Sequence, residues 1–314
     1  MPSTYRSATL GGLFGGGFSG VGSINHGPLG ATGNVLGLRA MTIEAEPQVF
    51  DLRGEEALRM HHLWGTNGLV LELEVALAPA HPWLESLVVF DDFEPALRFA
   101  DALAHAPGIM KREVAFFGSP VPDHLAQLAQ YLPRGCHAVL SLVAESSEAP
   151  MLELVAAHGG RRSYRKTAIE VQKSNRTLVE FTWNHTTLHA LKVAKNLTYL
   201  QSGFTPGQHV EQVIAMEKRF AGEVMMHLEF LRNAAGLMTC SGLQLVRFTT
   251  EERLAEIIRL HCEHGVHINN PHVNIVEDGK AGGPLPPEVI ELKRRFDPQG
   301  LLNPGKLRDW PVAA

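Results

Sequence analysis

The segment Phe181–Lys192 reads FTWNHTTLHALK and gathers Trp183, Asn184, His185 and His189. A tryptophan beside polar groups walls a flat substrate well, and a histidine takes or gives a proton near neutral pH. His185 is the first candidate for a base or substrate ligand, although a hydrogen-bonded histidine at a helix start accounts for it equally well. Further on, VMMHLEF sets His227 and Glu229 two residues apart, on one face of a strand. That pair has the chemistry to hold a substrate or a metal, and a hydrogen-bonded strand pair explains it as readily. His261, Cys262, His264, His267 and His272 then cluster before Asn274 and Glu277. His264 and His267 have a spacing compatible with zinc or iron, but no metal-ligand set is assigned. Arg165 and Arg247 are candidates to grip a carboxylate, because a guanidinium does so through two parallel bonds; most arginines here are expected to be solvated.

A second kind of signal lies near the start. Ser7–Leu38 contains no Asp, Glu, Lys or Arg, and 11 of its residues are Gly. A membrane helix needs about 20 mostly apolar residues, and Gly weakens a helix by about 1 kcal/mol relative to Ala. A signal peptide would show a compact apolar core and a cleavage site. Neither is present. Gly15, Gly17 and Gly20 match G-x-G-x-x-G, but a dinucleotide site needs a strand before the loop and a helix after it. Only ten residues precede Gly11, and the following glycines and Pro28 oppose a helix. The segment is therefore expected to be loop, turn and short strand, its bare backbone lining an anionic or flat ligand.

Composition bounds the rest. The chain has 314 residues, 45% of them hydrophobic, and a net charge of −5. At roughly 150 residues per domain, about two domains are expected. No basic excess exists to neutralise phosphates, so nucleic-acid binding is not expected. Three widely spaced cysteines, Cys136, Cys240 and Cys262, suit a reducing compartment, and a cytoplasmic location is expected.

Periodicity places these residues on elements. Strands are expected at Val35–Ile43, Val49–Leu52 and, half-buried, at Leu69–Leu77, where LVLELEVAL alternates apolar and acidic residues. Pro79 and Pro82 mark a boundary near residue 80. Beyond it, strands are expected at Leu84–Phe90, Met110–Phe117, His137–Val143, Val179–Trp183, Val224–Phe230 and Gly242–Phe248. Helices are expected at Phe93–Ala104, Ala149–His158, Thr249–His264 and Pro287–Phe296. This alternation suggests an α+β sandwich of the ferredoxin type.

Residues 8–42 (ATLGGLFGGGFSGVGSINHGPLGATGNVLGLRAMT) and 292–307 (LKRRFDPQGLLNPGKL) together resemble the FAD-linked oxidases of the vanillyl-alcohol oxidase superfamily. Within it the chain looks most like the glycolate oxidase and D-lactate dehydrogenase branch. The resemblance implies an α+β fold: the second half of a PCMH-type FAD-binding domain over 1–80, a ferredoxin-like α+β cap over 81–285, and a C-terminal segment, 286–314, that closes on the FAD domain. It implies FAD as cofactor and a small 2-hydroxy acid as substrate, oxidised by hydride transfer to flavin. A full member of the family carries a further N-terminal region with the pyrophosphate loop, so the chain is read as N-terminally incomplete.

By the same resemblance, Thr9, Gly11, Gly12, Gly16, Gly17, Gly20, Gly22, Ser23, Ile24, Gly27 and Asn34 would line the flavin. Gly68 and Val70 would border it, and Asn303 and Lys306 would reach it from the closing motif. His26 stands where the family often has Tyr; its spacing does not mark it as a covalent flavin link. His185, His227 and Glu229 are the catalytic candidates. Two other readings stand beside this one: a non-catalytic subunit that associates with itself or with a partner chain through the incomplete domain, and a phenol oxidase of the same superfamily, which active-site tyrosines would mark.

Overall fold

The computed structural model describes residues 5–279, 285–308 and 310. Twelve strands are present among them: β1 Val35–Met41, β2 Val49–Arg53, β3 Leu69–Val75, β4 Trp83–Phe90, β5 Lys111–Phe117, β6 His137–Ala144, β7 Arg161–Lys166, β8 Leu197–Gly203, β9 Val224–Met225, β10 His227–Arg232, β11 Met238–Arg247 and β12 His267–Asn269. The α-helices are α1 Leu10–Gly16, α2 Ser23–His26, α3 Gly54–Leu58, α4 Phe93–His105, α5 Glu148–Ala157, α6 Ala168–Ser174, α7 Asn184–Val193, α8 His209–Arg219, α9 Glu251–Glu263 and α10 Pro287–Phe296. They form two compact units. One comprises Val21–Gly27 and Ala80–Ile268; the other takes the described residues up to Gly20, those from Pro28 to Pro79 and those from Asn269 on.

The larger unit is built on one sheet in the order β12-β8-β11-β10-β5-β6-β4-β7, with β9 pairing β11. Chain order resolves this sheet into two copies of one motif. The first is β4-α4-β5-β6-α5-β7 and the second β8-α8-β10-β11-α9-β12. In each copy the strands lie second, third, first, fourth across the sheet, which is the ferredoxin-like arrangement. The copies join where their second strands, β5 and β10, pair antiparallel, with His227 opposite Phe117 and Glu229 opposite Ala115.

Each strand of the seam is covered on both faces, which is why its sequence runs apolar almost continuously. Val114, Phe116, Leu228 and Phe230 pack under α4, α8 and α9 through Phe99, Leu103, Val213, Met216 and Ile257. Ala115 and Phe117 face the other way, against Val179, Phe181 and Ala190. α4 follows its 3.6-residue period, burying Ala96, Leu97, Ala100, Leu103 and Ala104. α9 starts where Thr250 caps it, accepting from the Arg253 amide, with Glu251 and Glu252 in the first turn.

The smaller unit holds a three-stranded antiparallel sheet, β2-β1-β3. Its core joins Phe14, Val35, Leu38, Ala40 and Leu52 to Val289, Leu292 and Phe296 of α10. Among the described residues no helix is long and apolar enough to cross a membrane.

Four local expectations are corrected. Leu10–Gly16 is helical in spite of four glycines, which together cost about 4 kcal/mol against Ala. Thr9 Oγ accepts from the Gly12 amide as N-cap, Phe14 is fully buried, and the far end is tied down because the His62 and Trp64 amides donate to Phe14 O and Gly15 O. Tertiary anchoring thus outweighs propensity. The strand expected at Val179–Trp183 is instead a 3-10 turn, Leu178–Phe181, that leads into α7. Val224–Phe230 is not continuous, because the ladder breaks at Met226 between β9 and β10. β3 is not half-buried: it is an edge strand with Leu69, Leu71 and Val75 exposed.

Candidate active site

The seam of the larger unit carries a buried polar group on an otherwise apolar face. His227 and Glu229 on β10 share a side of the sheet with Ala115 and Phe117, and Glu113 lies diagonally across the strand pair from Glu229. His227 and Glu229 have no solvent exposure and Glu113 almost none. His227 Nε2 lies 2.8 Å from Glu229 Oε1 and 3.2 Å from Thr186 Oγ. Thr186 donates its own proton to Phe181 O at 2.7 Å. The His227 ring also stacks on Phe117 at 5.1 Å.

Trp183 ties this group to α7. Its backbone amide donates to Glu229 Oε1 at 2.6 Å, and its indole N–H donates to Glu113 Oε1 at 3.0 Å. Trp183 is the residue just before α7 and has φ +53°, the left-handed region that favours glycine. Such a conformation costs of order 1–3 kcal/mol and persists only when its surroundings over-determine it. Two hydrogen bonds to buried carboxyl groups do so here.

Electrostatics follow from burial. Desolvation raises the Glu113 pKa well above the ordinary carboxyl value, and the Glu229 charge raises it further. Burial pushes Glu229 up to about 7, against the hydrogen bonds from Glu113 and the Trp183 amide. It pushes His227 down to about 3, against the Leu243 carbonyl and the Glu113 carboxyl. His227 is therefore neutral at pH 7. The group is a proton-sharing carboxyl pair beside an uncharged imidazole.

Of the sequence candidates, the structure brings Trp183, His227 and Glu229 together. His185 lies half-buried in the first turn of α7, next to Thr186, with Asn184 exposed beside it. His189 is elsewhere, stacked on Phe181 with Nε2 at 3.1 Å from Glu180 O. Glu113 was missed by sequence reasoning. Its signal was a lone acid within the apolar run EVAFF, at the same parity as Ala115 and Phe117.

The histidine-rich stretch does not assemble a site. His261 is buried and stacked flat on Phe220, and His264 Nδ1 is engaged with Leu260 O at 2.8 Å. Among the described residues, no group of three or more His, Cys, Asp or Glu is placed to hold a metal. Neither candidate arginine is free. Arg165 grips Glu148 through two bonds of 2.7 and 2.8 Å, and Arg247 donates to Gly222 O. Tyr131 and Tyr164 pack edge to face in the core, 4.9 Å apart.

The flavin-lining candidates divide between the units. Gly22, Ser23, Ile24 and Gly27 belong to the larger one, around α2. Thr9, Gly11, Gly12, Gly16, Gly17, Gly20, Asn34, Gly68, Val70, Asn303 and Lys306 belong to the smaller one. Several of these have structural duties. A Cβ at Gly17 would meet Leu13 O at 2.6 Å, and one at Gly68 would meet Met41 O at 2.9 Å. Asn34 donates to Pro28 O, and Asn303 donates to Trp64 O and Gly65 O.

Other residues fit one flank of a flavin nucleotide. Built Cβ atoms at Gly15 and Gly16 meet nothing within 4 Å, which leaves a bare helix face for a flat ring. Ser19 Oγ nearby is buried without a hydrogen bond. Trp64 links this face to the closing motif, since it donates to Gly15 O and accepts from Asn303. That motif ends on the exposed Lys306. The motif itself is held by Asp297, fully buried, which accepts from the Leu301 and Leu302 amides and from Lys293 Nζ at 2.7 Å.

No family model and no curated protein sequence matches this chain. Solved structures do match. Two structures of alkyldihydroxyacetonephosphate synthase, from two crystal forms, superpose with a TM-score of 0.59 each, at 12% and 11% identity. Each alignment covers 96% of this chain and 58% of the synthase chain. The fold is that of the PCMH-type FAD-binding oxidases: the second half of the FAD domain, a ferredoxin-like cap and a C-terminal closing segment. At this identity the likeness shows the fold alone and singles out no branch or activity.

Proposed function

We propose that this chain is the cap-bearing part of a FAD-dependent oxidoreductase that oxidises a small 2-hydroxy acid such as glycolate or D-lactate. The observation that carries the proposal is the first turn of α7, fixed from behind by two buried carboxyl groups through a strained Trp183. Oxidation of a 2-hydroxy acid needs a base for the hydroxyl proton, and α7 offers one in His185. FAD, when bound, supplies the hydride acceptor. The bare face of α1 and Lys306 would hold it.

His185 takes the hydroxyl proton of the substrate, and Asn184 beside it orients a polar substituent. His227 and Glu229 have no exposure and do not touch substrate; they hold the turn that presents His185. The test is the visible spectrum of the chain after incubation with FAD and desalting. A retained two-band flavin spectrum, bleached anaerobically by a 2-hydroxy acid and not bleached in H185N, is the expected result. A colourless protein would sink the reading for this chain acting alone.

A second reading has its own observation. β3 presents Leu69, Leu71 and Val75 on an edge of the smaller sheet, with Leu77 beyond it 92% exposed. An apolar edge strand is a template for pairing with another segment. On this reading the chain works with a partner chain or a second copy that covers β3. Sedimentation of the wild type against L71K/V75K distinguishes it: the substitutions should shift an associating species to monomer.

A further inference from the structure

We propose that Glu113 carries the one proton it shares with Glu229, and that it is the positioning residue that sets the first turn of α7. This deepens the function proposed above and rests on it only where turnover is concerned.

Two carboxyl groups hydrogen-bonded to one another need a proton between them. The donor census places it. Among the described residues, Glu229 Oε1 receives the Trp183 amide at 2.6 Å and faces His227 Nε2 at 2.8 Å, while Glu113 receives the indole N–H at 3.0 Å and no other N–H. The better-solvated carboxylate keeps the charge, so Glu229 is the anion and Glu113 the acid. Glu229 Oε2 has no N–H or hydroxyl donor in spite of complete burial. A bare buried acceptor costs about 1–3 kcal/mol, and an acid proton on Glu113 supplies the missing donor.

Three titratable side chains on the flanking elements are engaged elsewhere. Lys111 on β5 donates to Ala106 O, Arg232 on β10 to Gly236 O, and His189 on α7 is engaged with Glu180 O. Among the described residues His227 is the titratable side chain next to the pair, and it is neutral; the amino-terminal charge acts on Glu113 against the effect of burial, which is the larger.

The consequence lies at Trp183. Its amide binds the anion and its indole binds the acid, so one residue spans both members of the pair. Its positive φ is held from both ends. Losing the Glu113 proton would set two anions against each other and release the turn that leads to His185.

The test reads the proton and the turn separately. Infrared spectra at about pH 8.5 should show a buried carboxylic-acid carbonyl band, because Glu229 and Glu217, each pushed up to about 7, are then mostly ionised. The band should vanish in E113Q and persist in E229Q. A band absent from the wild type, or surviving in E113Q, overturns the proposal. Hydrogen exchange should show the Trp183 amide about tenfold faster in E113A, equivalent to about 1.4 kcal/mol, with amides of β4 and β6 unchanged. Protection should return in E113Q, whose amide still donates to Glu229. Acceleration spread evenly over the chain, or no rescue by E113Q, also overturns it. If both readouts come out as expected while no flavin binds and no hydroxy acid turns over, Glu113 stands and the enzymatic reading falls.

Discussion

Asp297→Ala should strongly destabilise the smaller unit. Asp297 is fully buried at the end of α10 and satisfies three donors: the Leu301 amide at 2.9 Å, the Leu302 amide at 2.8 Å and Lys293 Nζ at 2.7 Å. Removing it leaves the Lys293 ammonium, itself 1% exposed, with the carbonyls of Thr66 and Leu302 and the Trp310 ring but no counter-charge among the described residues. Breaking a buried ion pair from one side costs about 3–5 kcal/mol. The two remaining carbonyls soften that, while the two orphaned amides add to it, so about 4 kcal/mol is expected. Urea unfolding followed by tryptophan emission reads the loss, and repeating it in Trp310→Phe isolates the contribution of Trp310, whose ring centre lies 5.3 Å from Lys293 Nζ. Lys293→Met alone should also destabilise, and the double variant should lose less than the sum by at least about 2 kcal/mol. An Asp297→Ala cost below about 1 kcal/mol, or additive single effects, would refute the view that this pair latches the closing motif.

Three further outcomes follow from the structure. Burial raises the folded Glu113 pKa well above its ordinary value, so stability should fall as pH rises from the ordinary carboxyl value until the folded group ionises, by up to about 1.4 kcal/mol per pH unit; denaturant midpoints should lose that slope in E113Q. Glu229 extends the same trend down from its folded value of about 7, while His227, at about 3 when folded, pulls the other way below its ordinary 6.5. Thr9→Ala removes the cap of α1 and should cost about 1 kcal/mol in urea unfolding, with Thr9→Ser largely neutral. Gly68→Ala forces a Cβ onto Met41 O and Phe296 at φ +53°, and should lower the melting temperature by an amount equivalent to about 2–4 kcal/mol.

Part of the cap was legible where strands and helices keep their periods, whereas β7, β8, α8 and β12 were not among the expected elements. The strands expected at Leu84–Phe90 and His137–Val143 differ from β4 and β6 by one residue at an end, and outside the cap Pro287–Phe296 is helical over the whole expected span. What escaped was set by tertiary structure. LGGLFGG has poor helix propensity, yet Thr9 and Phe14 anchor it; only the T-x-x-G start hinted at a cap. Phe181, Thr182 and Trp183 are strand formers by type, and a positive φ at a tryptophan leaves no mark in sequence. The His227–Glu229 pair was visible from its spacing. Its partner Glu113 lies 114 positions earlier than His227, and only the register of β5 against β10 unites them. Lys293 hid among three consecutive basic residues, although its i,i+4 relation to Asp297 was there to see.

The position of the buried pair follows from how the cap is assembled. A single ferredoxin-like motif leaves its second strand on an edge, with unpaired backbone and one flank of each face open. Joining two motifs through β5 and β10 removes both edges at once, and the seam becomes the middle of an eight-strand path. Residues that would be peripheral in one copy are thereby the most enclosed in the pair. An acid placed there cannot be solvated, so it must find a partner from the other copy, and Glu113 finds Glu229. Neither motif alone could hold that proton: separated, each would present one ordinary carboxylate to water. The shared proton, the strained Trp183 and the setting of α7 are in this sense properties of the duplication. They should be lost together in any variant that opens the β5–β10 pairing while leaving each half folded.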